Sequence, residues 1–119
     1  MPYRGNTNST DRFSSRTSSH QESNTVGAGT TTYTGLLRIV GLTRLTVRVL
    51  QTAGPAPGMF RVEIRQAINW RPITQWVPVA ALNVVEYRDY IAVGRDARVA
   101  FLAAGGGPSA VEIDIGAGI

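Results

Sequence analysis

TRLTVRVLQTAGPAPGMFRVEIRQ, residues 43–66, carries the pattern that decides the fold. In its first part Leu45, Val47 and Val49 alternate with Arg44, Thr46 and Arg48. In its last part Phe60, Val62 and Ile64 alternate with Arg61, Glu63 and Arg65. Side chains of a strand point to opposite faces in turn, so a period of two with β-branched residues marks half-buried strands. Between them TAGPAPG, residues 52–58, can neither continue a strand nor start a helix.

The same texture extends in both directions. TYTGLLRIV (32–40) reads as a strand that Gly41 breaks. ITQWVPVA (73–80) reads as another, which Pro78 confines to an edge or a bulge because proline cannot donate to a ladder. YRDYIAV (87–93), ARVAFLA (97–103) and AVEIDI (110–115) follow, with AAGGGPS (103–109) as a turn. Residues 79–86 have room for a single helical turn, and no long amphipathic helix is visible. Short strands with turn signals every 8–12 residues or so predict an all-β chain: a small antiparallel β-sandwich or jelly-roll-like barrel. Immunoglobulin-like and OB-like topologies satisfy the pattern equally.

Residues 1–32 differ. They hold six of the seven serines, many Thr, Asn and Gly, and few large apolar side chains. Ordering a backbone costs roughly 1–2 kcal/mol per residue, and this stretch has little apolar burial to offset it. The expected organisation is therefore an extended arm over 1–32, disordered unless bound to a partner, and a β-sandwich domain over 33–119. Fully extended, about thirty residues reach roughly 100 Å, enough to cross a neighbouring subunit. Tyr3 and Phe13 are the arm's candidate anchors, with Arg12 and Arg16 beside Phe13. No apolar leader and no run of about 18 apolar residues is present, so neither export nor membrane spanning is expected.

Catalysis finds little support. The absence of cysteine excludes thiol nucleophiles and disulfide frameworks. The only histidine, His20, falls in the arm, where nothing local would hold it against a substrate. Glu112 and Asp114 share one strand face, which reads as a solvated face or as partners for arginine. VGAGT (26–30) lacks the lysine of a phosphate loop, and GAGI (116–119) has no helix after it, so both read as spacers. No enzyme activity, no cofactor and no metal is expected.

The more specific expectation concerns arginine. All twelve cations are Arg, and the net charge is +4. If the strands flanking TAGPAPG pair as a hairpin, Arg44 stands opposite Arg65 and Arg48 opposite Arg61. Like charges directly opposite repel, so such a face would want phosphate or acidic side chains from another subunit. Its ordinary alternative is that the arginine stems lie on the sheet with their heads in water. Trp70, placed by NWRP in a loop, is expected at an interface or corner. Trp76, Tyr87 and Tyr90 could fill a core, an interface or a stacking platform.

With an arm over 1–32 and a cysteine-free β-rich body over 33–119, the chain resembles the head decoration, or capsid-cementing, proteins of tailed phages. The resemblance lies in layout and transfers no residue role. It implies a non-enzymatic structural protein of the virion, made in the host cytoplasm and placed on the capsid surface. Its partners would be the major capsid protein or other virion subunits, and it would form a trimer or dimer. A partner-binding set of Tyr3, Phe13, Arg12, Arg16, Arg44, Arg48, Arg61, Arg65 and Trp70 follows from the readings above. The alternative is an OB-like single-stranded nucleic-acid-binding protein using the Arg face and aromatics. The mildly basic arm suits protein contact better than nucleic acid. A glycan-binding adhesion module, carried by Trp70 and Tyr87, is a third reading.

Overall fold

The computed structural model describes residues 17–119, with side chains from Ser18 onward. Tyr3, Arg12, Phe13 and Arg16 lie outside the described residues.

The described residues form ten antiparallel strands: β1 Thr17–Val26, β2 Thr31–Tyr33, β3 Leu37–Arg38, β4 Arg44–Ala53, β5 Met59–Arg65, β6 Trp70–Pro72, β7 Val77–Pro78, β8 Glu86–Ile91, β9 Asp96–Leu102 and β10 Ser109–Gly118. One sheet has the order β1-β10-β4-β8, and the second runs β2-β9-β5-β6. In the second sheet β2 and β3 both pair with β9, and β6 and β7 both pair with β5. Each of these short pairs acts as one broken edge strand, so both layers are effectively four strands wide. The chain alternates between the layers, and β9 and β10 return to the middle of their sheets. This is the two-layer, jelly-roll form of the antiparallel sandwich.

The core comes from the alternation. Leu45, Val47 and Val49 on β4 and Val111, Ile113 and Ile115 on β10 point inward from one sheet and are buried. Phe60, Val62, Val99 and Phe101 meet them from the other. Burying a side chain of this size contributes roughly 1.5–3 kcal/mol.

The hairpin expected around TAGPAPG does not form. β4 pairs with β10 and β8, whereas β5 pairs with β9, β6 and β7. Residues 54–58 instead carry the chain from one layer to the other, and Gln51 fastens this corner. Its fully buried amide donates to the carbonyls of Ala53 (3.2 Å) and Ala56 (3.0 Å), and its Oε1 accepts from the Gly58 amide at 2.8 Å. Gly58 must be glycine: a Cβ there would lie 2.5 Å from the Leu102 carbonyl oxygen. The separation also removes the like-charge conflict. Arg48 stands opposite Asp114 and Tyr87, and Arg65 opposite Asp96 and Trp70.

The boundary expected at residue 32 is also displaced. β1 pairs with β10 over its whole length, from Thr17 opposite Gly118 to Val26 opposite Ser109. Its inward row is mostly polar, and Glu22 closes the gap between the layers. The Glu22 carboxylate accepts from the Gly35 amide (2.6 Å), Asn24 Nδ2 (2.8 Å) and His20 Nε2 (2.6 Å). Burial raises the Glu22 pKa, but these hydrogen bonds and the nearby His20 outweigh it and hold the group below its ordinary value. His20 therefore sits in a strand with a partner rather than in a solvated tail. Three smaller differences follow. Residues 32–40 are interrupted at Thr34–Leu36, residues 79–86 form no helix, and GAGI continues β10 through Gly118.

Candidate functional site

The most elaborate polar structure lies on the outer face of the second sheet. Strand alternation sends Phe60, Val62, Val99 and Phe101 inward, so Arg61, Glu63, Arg65, Asp96 and Arg98 share the outer side. Pairing then sets them in rows. Arg38, Asp96, Arg65 and Trp70 form one row across β3, β9, β5 and β6. Arg98, Glu63 and Pro72 form the next, and Tyr33, Ala100 and Arg61 the third.

Two carboxylates lie at the floor of this layer. Asp96 is 1% exposed and meets Arg38 (3.2 Å), Arg65 (3.0 Å) and Arg95 (3.0 Å). Glu63 is 3% exposed and meets Arg61 (3.0 Å) and Arg98 (2.8 Å). Burial pushes the Asp96 pKa up. Hydrogen bonds from Arg65 and Arg95, with the charges of Arg65 and Arg38, overcome that and hold it below the ordinary aspartate value. Five arginines meet two carboxylates, which leaves an excess of three positive charges on the face.

Aromatic rings interleave with the guanidinium groups. Arg98 lies 4.1 Å from the Tyr33 ring centre and 4.2 Å from that of Trp70. Arg65 lies 4.8 Å from Trp70, and Arg61 is 4.5 Å from Trp76. A planar, weakly hydrated guanidinium stacks well on a ring, and each such contact contributes about 0.5–1 kcal/mol or more. The result is a stiff cover over the sheet. The rings already hold guanidinium partners, so they are poorly placed as open platforms for bases.

The sequence-derived arginine set is thus divided. Arg61 and Arg65 belong to this layer with Trp70, which stands in β6 rather than in a loop. Arg44 and Arg48 lie on the outer face of the other sheet, where Arg48 donates to Asp114 at 3.2 Å and Arg44 is exposed. The sequence reading missed Arg38, Arg95, Arg98, Asp96 and Tyr33 as members of one cluster. Alternation in ARVAFLA could have placed Arg98 on an outer face, but only the β9–β5 pairing reveals what it meets.

The first sheet's outer face is sparser. Gly116 and Gly118 leave a shallow hollow beside Ser19, Thr46 and Arg44, with no heavy atom within 4 Å of a Cβ built at Gly118. Thr46 donates to Asp89 at 2.9 Å nearby. At one pole the β3–β4, β5–β6 and β8–β9 connections are laced together. The Ala92 amide donates to the Thr43 carbonyl (2.9 Å), Thr43 to Gly118 (3.1 Å) and Ile39 to Arg95 (2.8 Å). Val40, Ile68, Val93 and Ile119 stand exposed at this pole. Among the described residues no group of three His, Cys, Asp or Glu side chains could hold a metal ion.

No family model matches the sequence, and no curated protein matches it as a relative.

Proposed function

We propose that this chain is a non-enzymatic structural protein of a viral particle. It decorates or cements the capsid shell of a phage through its β-domain. The observation that carries the reading is the apolar pole of the jelly roll, where Val40, Ile68, Val93 and Ile119 are exposed beside the start of β1. Aliphatic side chains grouped on a small domain favour contact with another protein. Jelly rolls also serve as capsid domains, among other uses, so the fold is compatible with the reading without establishing it. The Arg-rich face of the second sheet offers a charged docking surface, and its excess positive charge suits acidic side chains on a shell subunit.

In this reading the residues before β1 leave from the apolar pole and add strand-type pairing on a neighbouring subunit, with Tyr3 and Phe13 as anchors and Arg12 and Arg16 beside Phe13. The OB-like alternative fits less well. A two-layer sandwich is not a five-stranded barrel, and Trp70 and Trp76 are already stacked by arginine.

The test is co-sedimentation with shells of the encoding phage assembled without this protein. The full chain should pellet with shells at a fixed, saturable ratio. A variant lacking residues 1–16 should keep the same circular dichroism and bind more weakly. Absence of the full chain from the pellet at low and physiological salt would refute the reading, and equal binding by the truncated chain would refute the role of the arm.

A further inference from the structure

We infer that β8 is the pairing edge of a symmetric dimer, occupied by β8 of a second copy of this chain. The inference names a partner within the reading of the chain as an assembling subunit, and it rests on that reading only to that extent.

A sheet edge presents unpaired amides and carbonyls, and natural proteins guard such edges. Three of the four edges here are guarded. β6 and β7 are three and two residues long and end in Pro72 and Pro78. β2 and β3 are equally short and separated by the bend at Thr34–Leu36. β1 is long, but its outward row is Ser19, Gln21, Ser23 and Thr25, which has no apolar surface to bury. β8 is neither short nor interrupted by proline, and its one guard, the inward pair Glu86 and Arg88, is neutralised within the pair. It runs six residues without Pro, Gly or Lys, and β4 covers only one side of it.

The polarity of β8 is also partly inverted. Its inward row holds Glu86, Arg88 and Tyr90: Tyr90 packs against the core, while Glu86 and Arg88 neutralise each other at 3.3 Å and Glu86 accepts from the Ala80 amide at 3.0 Å. Its solvent-facing row holds Tyr87 and Ile91, 62% and 86% exposed, and Val93 continues it at 63%. Asp89 is the row's only charge, and it accepts from Thr46. A weakly guarded edge with an aromatic and aliphatic outer row is built to be covered.

The charge pattern selects a second copy and its register. In a two-fold antiparallel pair, residues directly opposite share a face of the joined sheet. Centring on Arg88 sets two arginines opposite, and centring on Asp89 sets two aspartates opposite. Centring on Tyr87 sets Glu86 of each copy opposite Arg88 of the other and brings the two Tyr87 rings together. Centring on Tyr90 opposes no like charges but sets Asp89 against Ile91 and Arg88 against Ala92, with no ion pair gained. Opposite charges across a pair stabilise and like charges repel, so the Tyr87 register is the one the pattern favours.

The experiment uses the full chain, which has no cysteine of its own. Opposed Cα atoms in an antiparallel pair lie about 4.5–5.5 Å apart, within disulfide reach. Tyr87→Cys should therefore give a covalent dimer on a non-reducing gel under mild oxidation. Light scattering on a sizing column should show the wild type as a dimer, and Tyr87→Lys should weaken association about tenfold or more. Thr25→Lys on the β1 edge should leave it unchanged, with thermal melts confirming that each variant folds. A wild type that stays monomeric up to about 100 µM, without cross-linking of the cysteine variant, overturns the inference. So does a dimer indifferent to Tyr87→Lys. A monomer that still binds shells would remove β8 pairing and leave the decoration reading in place.

Discussion

Replacing Asp96 should test the charged layer most severely. Its carboxylate is 1% exposed and meets three guanidinium groups within 3.2 Å. Asp96→Ala leaves those cations without their shared anion. Removing one partner of a buried pair costs about 3–5 kcal/mol. Two of the three cations can rehydrate, since the side chains of Arg38 and Arg95 are 69% and 44% exposed. Arg65, at 24%, cannot do so freely. The expected loss is therefore near the lower end, about 3 kcal/mol. Urea unfolding followed by Trp fluorescence suits the measurement, because Trp70 lies against Arg65. With a slope of about 1–1.5 kcal/mol per molar for a domain of this size, the midpoint should fall by about 2–3 M. Asp96→Asn should also lose part of the wild-type pH dependence. The folded pKa of Asp96 is depressed, so its contribution is complete above the unfolded value of about 3.9 and is lost as pH falls through the folded value. The asparagine variant should consequently show a shallower loss below about pH 4. A loss under about 1 kcal/mol for Asp96→Ala would refute the argument, because it would mean that the three arginines are held independently of the aspartate.

Two further changes probe other parts of the fold. Gly58→Ala would drive a methyl group to 2.5 Å from the Leu102 carbonyl and 2.7 Å from Phe101, and it should cost about 2–4 kcal/mol in a thermal or urea melt. Glu22→Gln exchanges the three-fold hydrogen-bond acceptor between the layers for a neutral amide. It should speed amide hydrogen exchange in β1 while leaving exchange in β4 and β9 unchanged.

The strands with an apolar inward row were legible in the sequence. β4, β5, β9 and most of β10 show alternation because one face of each meets the core. β1 shows none, for a physical reason. It is an edge strand held by the backbone of β10 and by Glu22, and among its inward side chains only Val26 is buried. β6 was hidden in NWRP because it is three residues long and earns its place by pairing at the edge of β5. The arginines were visible as residues but not as a cluster. TAGPAPG looks like a hairpin turn on composition alone, and only the buried amide of Gln51 makes it a crossing between layers. Arg61 with Glu63 and Arg95 with Asp96 are local pairs, but the contacts of Arg38, Arg65 and Arg98 depend on pairings between segments about thirty residues or more apart, and alternation within one strand carries no information about those.

The central places of β9 and β10 also bear on how the chain reaches its native state. These two strands follow all the others in chain order, yet β10 separates β1 from β4 and β9 separates β2 from β5. As the polypeptide leaves the ribosome, neither layer can close until the segment from Asp96 to Gly118 has emerged. The earlier strands must wait as open edges, and β8 with its apolar row is among them. Folding should thus be largely post-translational and all-or-none, and a nascent chain halted before residue 96 should be the species most in need of a chaperone.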